Sequence, residues 1–291
     1  MIHRNDPCWC QSGKKWKKCH YPDRGNLTVA EKYLHDYDIV LKTPDQIEGI
    51  RHSARCAASM LAKLCEAAKE GVTTQALDDL SMKLHKEAKA RPAPLHYGHP
   101  PFPKSICTSL NEVICHGIPD DVPLKDGDIL NIDVSCEING FYGDCSAMVL
   151  IGNVSEEKRH VVDVSHESLR RSLEILKPGI LVSDIGKVIE DYATEQNCSV
   201  VNQFVGHGIG LEFHEAPQVP HHYNDTHIPL VPGMTFTIEP MINIGRREAV
   251  IDRKDKWTAR TIDGKPSAQW EHQVLITEEG AEILTLRPES L

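Results

Sequence analysis

The chain has 291 residues, 40% of them hydrophobic, with a formal net charge of −10 and a pI near 5.9. That length allows one large domain or two, and the acidic balance argues against a protein that coats nucleic acid. Ten cysteines, a start (His3-Arg-Asn-Asp6) with no apolar h-region and no run of roughly 18 apolar residues point to thiols and metal ligands in a cytoplasmic chain that crosses no membrane.

The first element is Cys8-Trp-Cys10, eight residues, then Cys19-His20. Three thiolates and one imidazole complete a tetrahedral zinc set, and so short a segment draws its stability from the metal, not from a core. Asn5-Asp-Pro-Cys8 and Gln11-Ser-Gly-Lys14 supply turn chemistry around it. The pattern resembles the SEC-C motif at all four positions, so residues 1–22 are expected to form a SEC-C-like zinc knuckle. With no open coordination position, the zinc is expected to be structural. Arg4, Lys14, Lys15, Lys17 and Lys18 outweigh Asp6, so the knuckle is basic on an acidic chain. With Trp9 and Trp16 it suits phosphate or an acidic protein surface, such as a ribosome offers. Residues 23–43 read as a linker and lead-in.

From residue 44 the pattern becomes helical. Thr43-Pro-Asp-Gln46 has the form of a capping box with proline at the first helical position. Ile47, Ile50, Ala54, Ala57, Leu61, Leu64 and Ala68 follow at helical spacing until Gly71. Thr74 opens a second helix with Leu77, Leu80 and Leu84 inward, and Pro92 and Pro94 stop it. Asp128–Ser135 alternates like a strand and runs through Asn139-Gly140, a strong hairpin signal, into Phe141–Ile151. If Ile138 pairs with Phe141, Ser135 faces Asp144 and Asp133 faces Ser146. Asp133 and Asp144 then share one face as diagonal neighbours, roughly 7–8 Å apart and within reach of one cation. Leu130, Ile132, Val134, Cys145, Ala147 and Val149 make the opposite, core face. A helix starts near Ser155, with Val161, Val164, Leu169, Leu173 and Leu176 inward, and Ser183 opens another with Ile185, Val188, Ile189 and Tyr192. A strand sets Glu239 on one face with Thr235 and Thr237, and a last strand, Ala268–Thr277, carries Glu271.

The chain also repeats itself. Leu124–Asp133 resembles Leu230–Glu239 at an offset of 106, which puts Asp133 on Glu239. Cys115-His-Gly-Ile118 resembles Gly206-His-Gly-Ile209, which puts His116 on His207, and Lys69-Glu-Gly-Val72 resembles Lys177-Pro-Gly-Ile180. The order is the same each time, so the reading is an α+β fold of two similar halves with a site between them. Asp133, Asp144, His207, Glu239 and Glu271 are four carboxylates and one imidazole, a set that can hold two divalent metals.

From about residue 40 onward the chain resembles the type I methionine aminopeptidases. The resemblance rests on Asn111–Pro119, Asn131–Val134, Gly143–Ser146, Gly206–Gly210, Phe213–Gln218, Phe236–Met241 and Ser267–His272. It implies a pita-bread fold of two pseudo-symmetric halves over residues 44–291. It implies that Asp133, Asp144, His207, Glu239 and Glu271 ligate two ions, of Co, Mn, Fe or Zn. The implied activity is removal of the initiator methionine from nascent polypeptides by metal-activated water, with a small second residue preferred. Glu239 would also move the proton, His214 would stabilise the carbonyl oxygen, and His116 would bond near the scissile nitrogen. Cys107, Phe213 and Trp257 would line the methionine pocket, with Phe102 and Tyr97 as further candidates, and a monomer is expected. Two other readings stand beside this one: an Xaa-Pro aminopeptidase-like hydrolase of the same fold, and a non-catalytic ribosome- or RNA-binding relative, expected to have lost metal ligands.

Overall fold

A computed structural model describes residue 7, residues 14–19 and residues 27–286. The chain divides into two compact units, residues 1–41 and 42–291. In the first, a 3-10 turn spans Trp16–Lys18 and helix α1 spans Val29–Tyr37. Thr28 caps α1 through Glu31, whose carboxylate returns a bond to the Thr28 N–H at 2.9 Å. Tyr33 and Tyr37 meet edge to face, 5.3 Å between centroids. Of the four expected zinc ligands Cys19 is described; Cys8, Cys10 and His20 lie outside the described residues.

The second unit opens with α2, Pro44–Ala67, capped as expected: Gln46 N–H donates to the Thr43 hydroxyl and the Gln46 side chain accepts from Thr43 N–H. Helix α3 spans Thr74–Ala88 and opens at Thr74 as expected. Thr73 takes the Ala76 N–H at 3.1 Å, which leaves the Thr74 hydroxyl to accept the Asp120 N–H at 2.8 Å. Strands β1 (Arg91–Pro92), β2 (Cys107–Leu110), β3 (Val113–Cys115), β4 (Ile129–Ile138) and β5 (Phe141–Leu150) complete this half. The Asn139-Gly140 turn sets the expected register: Ile138 faces Phe141, Ser135 faces Asp144, and Asp133 faces Ser146. β4 is central, pairing with β5 along its whole length, with β2 over Leu130–Asp133 and with β1 at Cys136–Glu137. All these pairs are antiparallel.

Helices α2 and α3 cover the apolar face of this sheet. Leu61, Leu64, Leu77, Leu130, Ile132 and Val134 belong to one buried cluster. Each such side chain contributes at most about 1.5–3 kcal/mol by leaving water. The helix lies so close that a Cβ at Gly143 would sit 2.4 Å from the Ser53 carbonyl.

The second half repeats the plan. Helices α4 (Glu156–Glu174) and α5 (Val182–Glu195) precede β6 (Ser199–Val200), β7 (Gly206–Gly208), β8 (Glu215–Val219), β9 (Thr235–Ile238) and β10 (Met241–Asn243). Then come β11 (Ala249–Ile251), β12 (Ala259–Thr261), β13 (Ser267–Gln269), β14 (His272–Ile276) and β15 (Ala281–Ile283). The main sheet runs β15-β14-β9-β7-β8; β13-β10-β6 forms a second and β11-β12-β3 a third, which ties the halves together. Ser155 caps α4 as expected. α5 begins at Val182, ahead of Ser183, because the Asp184 carboxylate accepts the Leu181 N–H at 2.9 Å. The expected strand Ala268–Thr277 is two strands. At Trp270 the chain leaves the β10 sheet for the β9 sheet, and Glu271 bridges to Ser146 on β5.

Gly143 and Gly140 sit three residues apart in one hairpin with opposite surroundings: nothing approaches a Cβ at Gly140, whose φ is +83°. Gly143→Ala is expected to destabilise by about 2–3 kcal/mol in denaturant unfolding, and Gly140→Ala by about 1 kcal/mol. Equal effects would mean that α2 does not press on β5.

Candidate active site

The hairpin delivers the first two acids. Asp133 on β4 and Asp144 on β5 point to the side away from α2, and Cys107 on β2 pairs with Asp133. Asp144 is 4% exposed; its Oδ1 accepts the Ser135 hydroxyl at 2.8 Å, and its N–H donates to Gln273 Oε1 at 3.1 Å. His207 comes from β7, where a register shift at His207–Gly208 re-aims the chain. Its Nδ1 lies 3.0 Å from the Gly208 carbonyl, so that nitrogen carries the hydrogen. The Nε2 lone pair then faces Glu239 Oε1 at 3.6 Å and Asp144 Oδ2 at 3.8 Å. Glu239 lies just past the end of β9, where Thr237 donates to its Oε1 at 2.8 Å and Gln269 to its Oε2 at 3.0 Å. Its N–H donates to His221 Nε2 at 3.1 Å. Glu271, 3% exposed, is fixed where its N–H donates to the Ser146 carbonyl at 3.2 Å.

All five expected ligands line one cavity of about 380 Å³. Donor atoms of Asp144, His207 and Glu271 fall within 4.8 Å of one another. The electrostatics fit a cation. Burial is the first cause that pushes all four carboxyls up, with their neighbours adding to it at Asp133, Glu239 and Glu271: Asp144 rises to about 7, Glu239 to about 8, and Asp133 and Glu271 lie well above the usual range. Burial also pushes His207 down to about 4, leaving a neutral imidazole with a free lone pair. Like-charged oxygens and one neutral nitrogen, each oriented by a neighbour, are the donors a divalent ion takes.

The expected recognition residues gather around this cluster. His116 follows β3 with φ +56°, and burial lowers its imidazole to about 4. Its ring meets Phe204 at 5.5 Å and Trp257 at 6.0 Å, both edge to face. His214 stands at the cavity mouth, stacked on Tyr97 at 5.1 Å and tilted against His207 at 4.1 Å. Loss of solvation, then the charges of His207 and His116, hold it below its ordinary value, so its imidazole is neutral near pH 7. Cys107, Phe213, Trp257, Phe102 and Tyr97 all line the same cavity. Trp257 is clamped: its indole N–H donates to the Pro100 carbonyl at 2.9 Å, and a Cβ at Gly98 would strike its ring at 2.5 Å. Gln203, Phe204 and Met241 also line the cavity, and Thr237, Gln269, Gln273 and His221 orient the expected ligands; the sequence placed Thr237 on the face of Glu239 but gave none of these seven a role in the site.

The model of metallopeptidase family M24 matches residues 48–278, and the SEC-C motif matches residues 4–22. The chain belongs to metallopeptidase family M24. A methionine aminopeptidase of Chlamydia trachomatis is 60% identical over 288 residues, covering 98% of this chain and 99% of that one. That of Escherichia coli is 45% identical over 252 residues, covering 86% and 94%. The crystal structure of methionine aminopeptidase from Rickettsia prowazekii superposes with a TM-score of 0.83 at 41% identity, over 85% of this chain and all of that one. A prolidase from Pyrococcus furiosus, 24% identical with a TM-score of 0.68 over 84% of this chain and 65% of its own, shares the fold. Within family M24 this chain therefore falls among the methionine aminopeptidases, and its two halves form their pita-bread fold.

The raised carboxyls make the stability of the metal-free protein depend on pH. Asp144 and Glu239 keep protons in the fold up to about 7 and about 8, whereas unfolded carboxyls release theirs at about 4. Between those values the fold binds more protons than the unfolded chain, so its stability is full below about pH 4 and is lost as pH rises through that window. Chelator-treated protein is expected to melt at lower temperature at pH 8 than at pH 5, with divalent ions restoring more at pH 8. A flat profile in thermal melts contradicts this.

Proposed function

We propose that this enzyme removes the initiator methionine from nascent polypeptides and prefers a small second residue. The observation that carries the reading is the junction of a five-donor cluster, Asp133, Asp144, His207, Glu239 and Glu271, with an apolar wall of Cys107, Phe213 and Trp257 in one cavity. The donors would hold two divalent ions, and carboxylate and imidazole suit Mn, Fe, Co or Zn. Bound ions supply a water acidic enough to attack near neutral pH and polarise the scissile carbonyl. This chain's own groups do the rest. Glu239, held by Thr237 and Gln269, carries a proton to the departing amine. His214 hydrogen-bonds the carbonyl oxygen as it gains charge, and His116 bonds near the scissile nitrogen. Cys107, Phe213 and Trp257 would wrap the thioether and keep water from it, and a small second side chain is expected beside them.

At the other end, Cys8, Cys10, Cys19 and His20 would hold one structural zinc. Lys14, Lys15, Lys17 and Lys18 line one concavity and suit an acidic surface such as the ribosome. Among the described residues no helix is long and apolar enough to cross a membrane.

Turnover of Met-Ala-Ser is expected to require an added divalent ion and to fall by roughly 10²–10⁴ in Glu239→Gln. Faster cleavage of Xaa-Pro peptides than of Met-Ala-Ser would favour the prolidase-like reading. Removal of residues 1–25 is expected to leave tripeptide hydrolysis intact and to weaken ribosome co-sedimentation. Unchanged co-sedimentation would separate the knuckle from that partner.

A further inference from the structure

Lys42 and Glu215 are 173 positions apart in sequence, yet their side chains meet at 2.5 Å with 1% and 9% of their surface exposed. So dry an ion pair is a poor source of stability, because taking both charges out of water costs about what their attraction returns. Its placement is more informative. Glu215 is the first residue of β8 and directly follows Phe213 and His214. While one carboxylate oxygen takes the Lys42 ammonium, Oε1 accepts the backbone N–H of Leu211 at 2.5 Å and of Glu212 at 2.9 Å. That carboxylate therefore joins the start of the loop to its end.

Further contacts seat the loop on the rest of the fold. The Gly210 carbonyl accepts the Tyr142 N–H at 3.0 Å, beside Asp144 on β5. Gly210 has φ +145°, and a Cβ there would lie 3.1 Å from Lys42 Cε, so the backbone closes directly over the lysine stem. Lys42 is itself anchored: its N–H donates at 2.9 Å to the carbonyl of Gly233, in the turn that feeds β9 and so Glu239.

We propose that the Lys42–Glu215 pair is a positioning device for His214. By clamping both ends of the loop, it holds the His214 ring against Tyr97 and over His207. Neither Lys42 nor Glu215 takes part in the chemistry. A shift of about 1 Å in a positioned group can cost roughly 10² in rate, and the clamp prevents such a shift. The inference rests on His214 being the group that bonds the substrate carbonyl oxygen.

The test compares Lys42→Met with Lys42→Arg in the full-length, metal-loaded enzyme acting on Met-Ala-Ser. Lys42→Met is expected to lower kcat at least about tenfold with little change in KM, as loss of an interaction made in the transition state does. Its Mn²⁺ affinity should stay that of the wild type, and Lys42→Arg should recover most of kcat. In a His214→Ala background, Lys42→Met should add less than about a further twofold, because both changes remove the same interaction. A wild-type kcat for Lys42→Met, or losses that multiply in the double variant, overturns the proposal. If Lys42→Met does not fold, Lys42→Met/Glu215→Gln leaves no lone buried charge and keeps the side-chain acceptor. It should still lose kcat at unchanged Mn²⁺ affinity, and a wild-type kcat there also overturns the clamp. The clamp is read separately from imidazole NMR signals of the Zn²⁺-loaded protein. Lys42→Met should displace or broaden His214 while His116 stays in place, and an unmoved His214 signal overturns the clamp whatever the kinetics. A wild-type kcat for His214→Ala alone removes the catalytic reading of His214 and leaves the clamp to the NMR result.

Discussion

Buried carboxyls that repel one another are the constraint on which this structure depends. Asp133, Asp144, Glu239 and Glu271 share one cavity, and without a cation the fold can keep them together only by leaving protons on them. A divalent ion resolves that conflict. The surrounding structure keeps the oxygens in place against their repulsion. Ser135 and Gln273 hold Asp144, Thr237 and Gln269 hold Glu239, and the Ser146 carbonyl fixes the backbone of Glu271.

The fold divides its labour accordingly. The acids stand on or beside strands deep in two antiparallel sheets, where register leaves them little freedom. Most groups that would meet substrate come from irregular backbone: His116 at positive φ, Trp257 beside the Gly98 turn, and Phe213 and His214 in the loop closed by Glu215, whereas Cys107 comes from β2. Candidate donors on regular strands and recognition groups on loops are the usual arrangement of a site on a rigid scaffold. Tyr97, 42% exposed, overlies both Phe213 and His214 and so closes the mouth of the cavity without sealing it.

Much of this was legible in the sequence wherever local chemistry decides. A two-residue Asn-Gly turn determines every pairing between β4 and β5, so turn arithmetic alone placed Asp133 and Asp144 on one face. The capping box at Thr43 and the cap at Ser155 were equally local. The start of α5 was not, because Asp184 reaches back to Leu181 and overrides the serine signal. Long-range contacts were beyond reach. The break at Trp270 comes from a change of sheet, and its indole N–H donates to the Val162 carbonyl 108 positions away. The orienting roles of Gln269, Gln273 and His221 appear only once the halves are folded together, as does the Lys42–Glu215 pair. The zinc knuckle rests on spacing and the SEC-C match, since three of its four ligands lie outside the described residues.

If the cavity's protons hold the place of a metal, a divalent ion must displace them on binding. Calorimetric titration of chelated protein with Mn²⁺ near pH 7, in buffers of different ionisation enthalpy, reads that exchange. Mn²⁺ favours oxygen donors over a thiolate knuckle, so the signal reports the carboxylate site. Tight binding accompanied by proton release, both lost in Asp144→Asn, is the predicted result. Mn²⁺ binding with no proton released, or binding that survives Asp144→Asn unchanged, would contradict it.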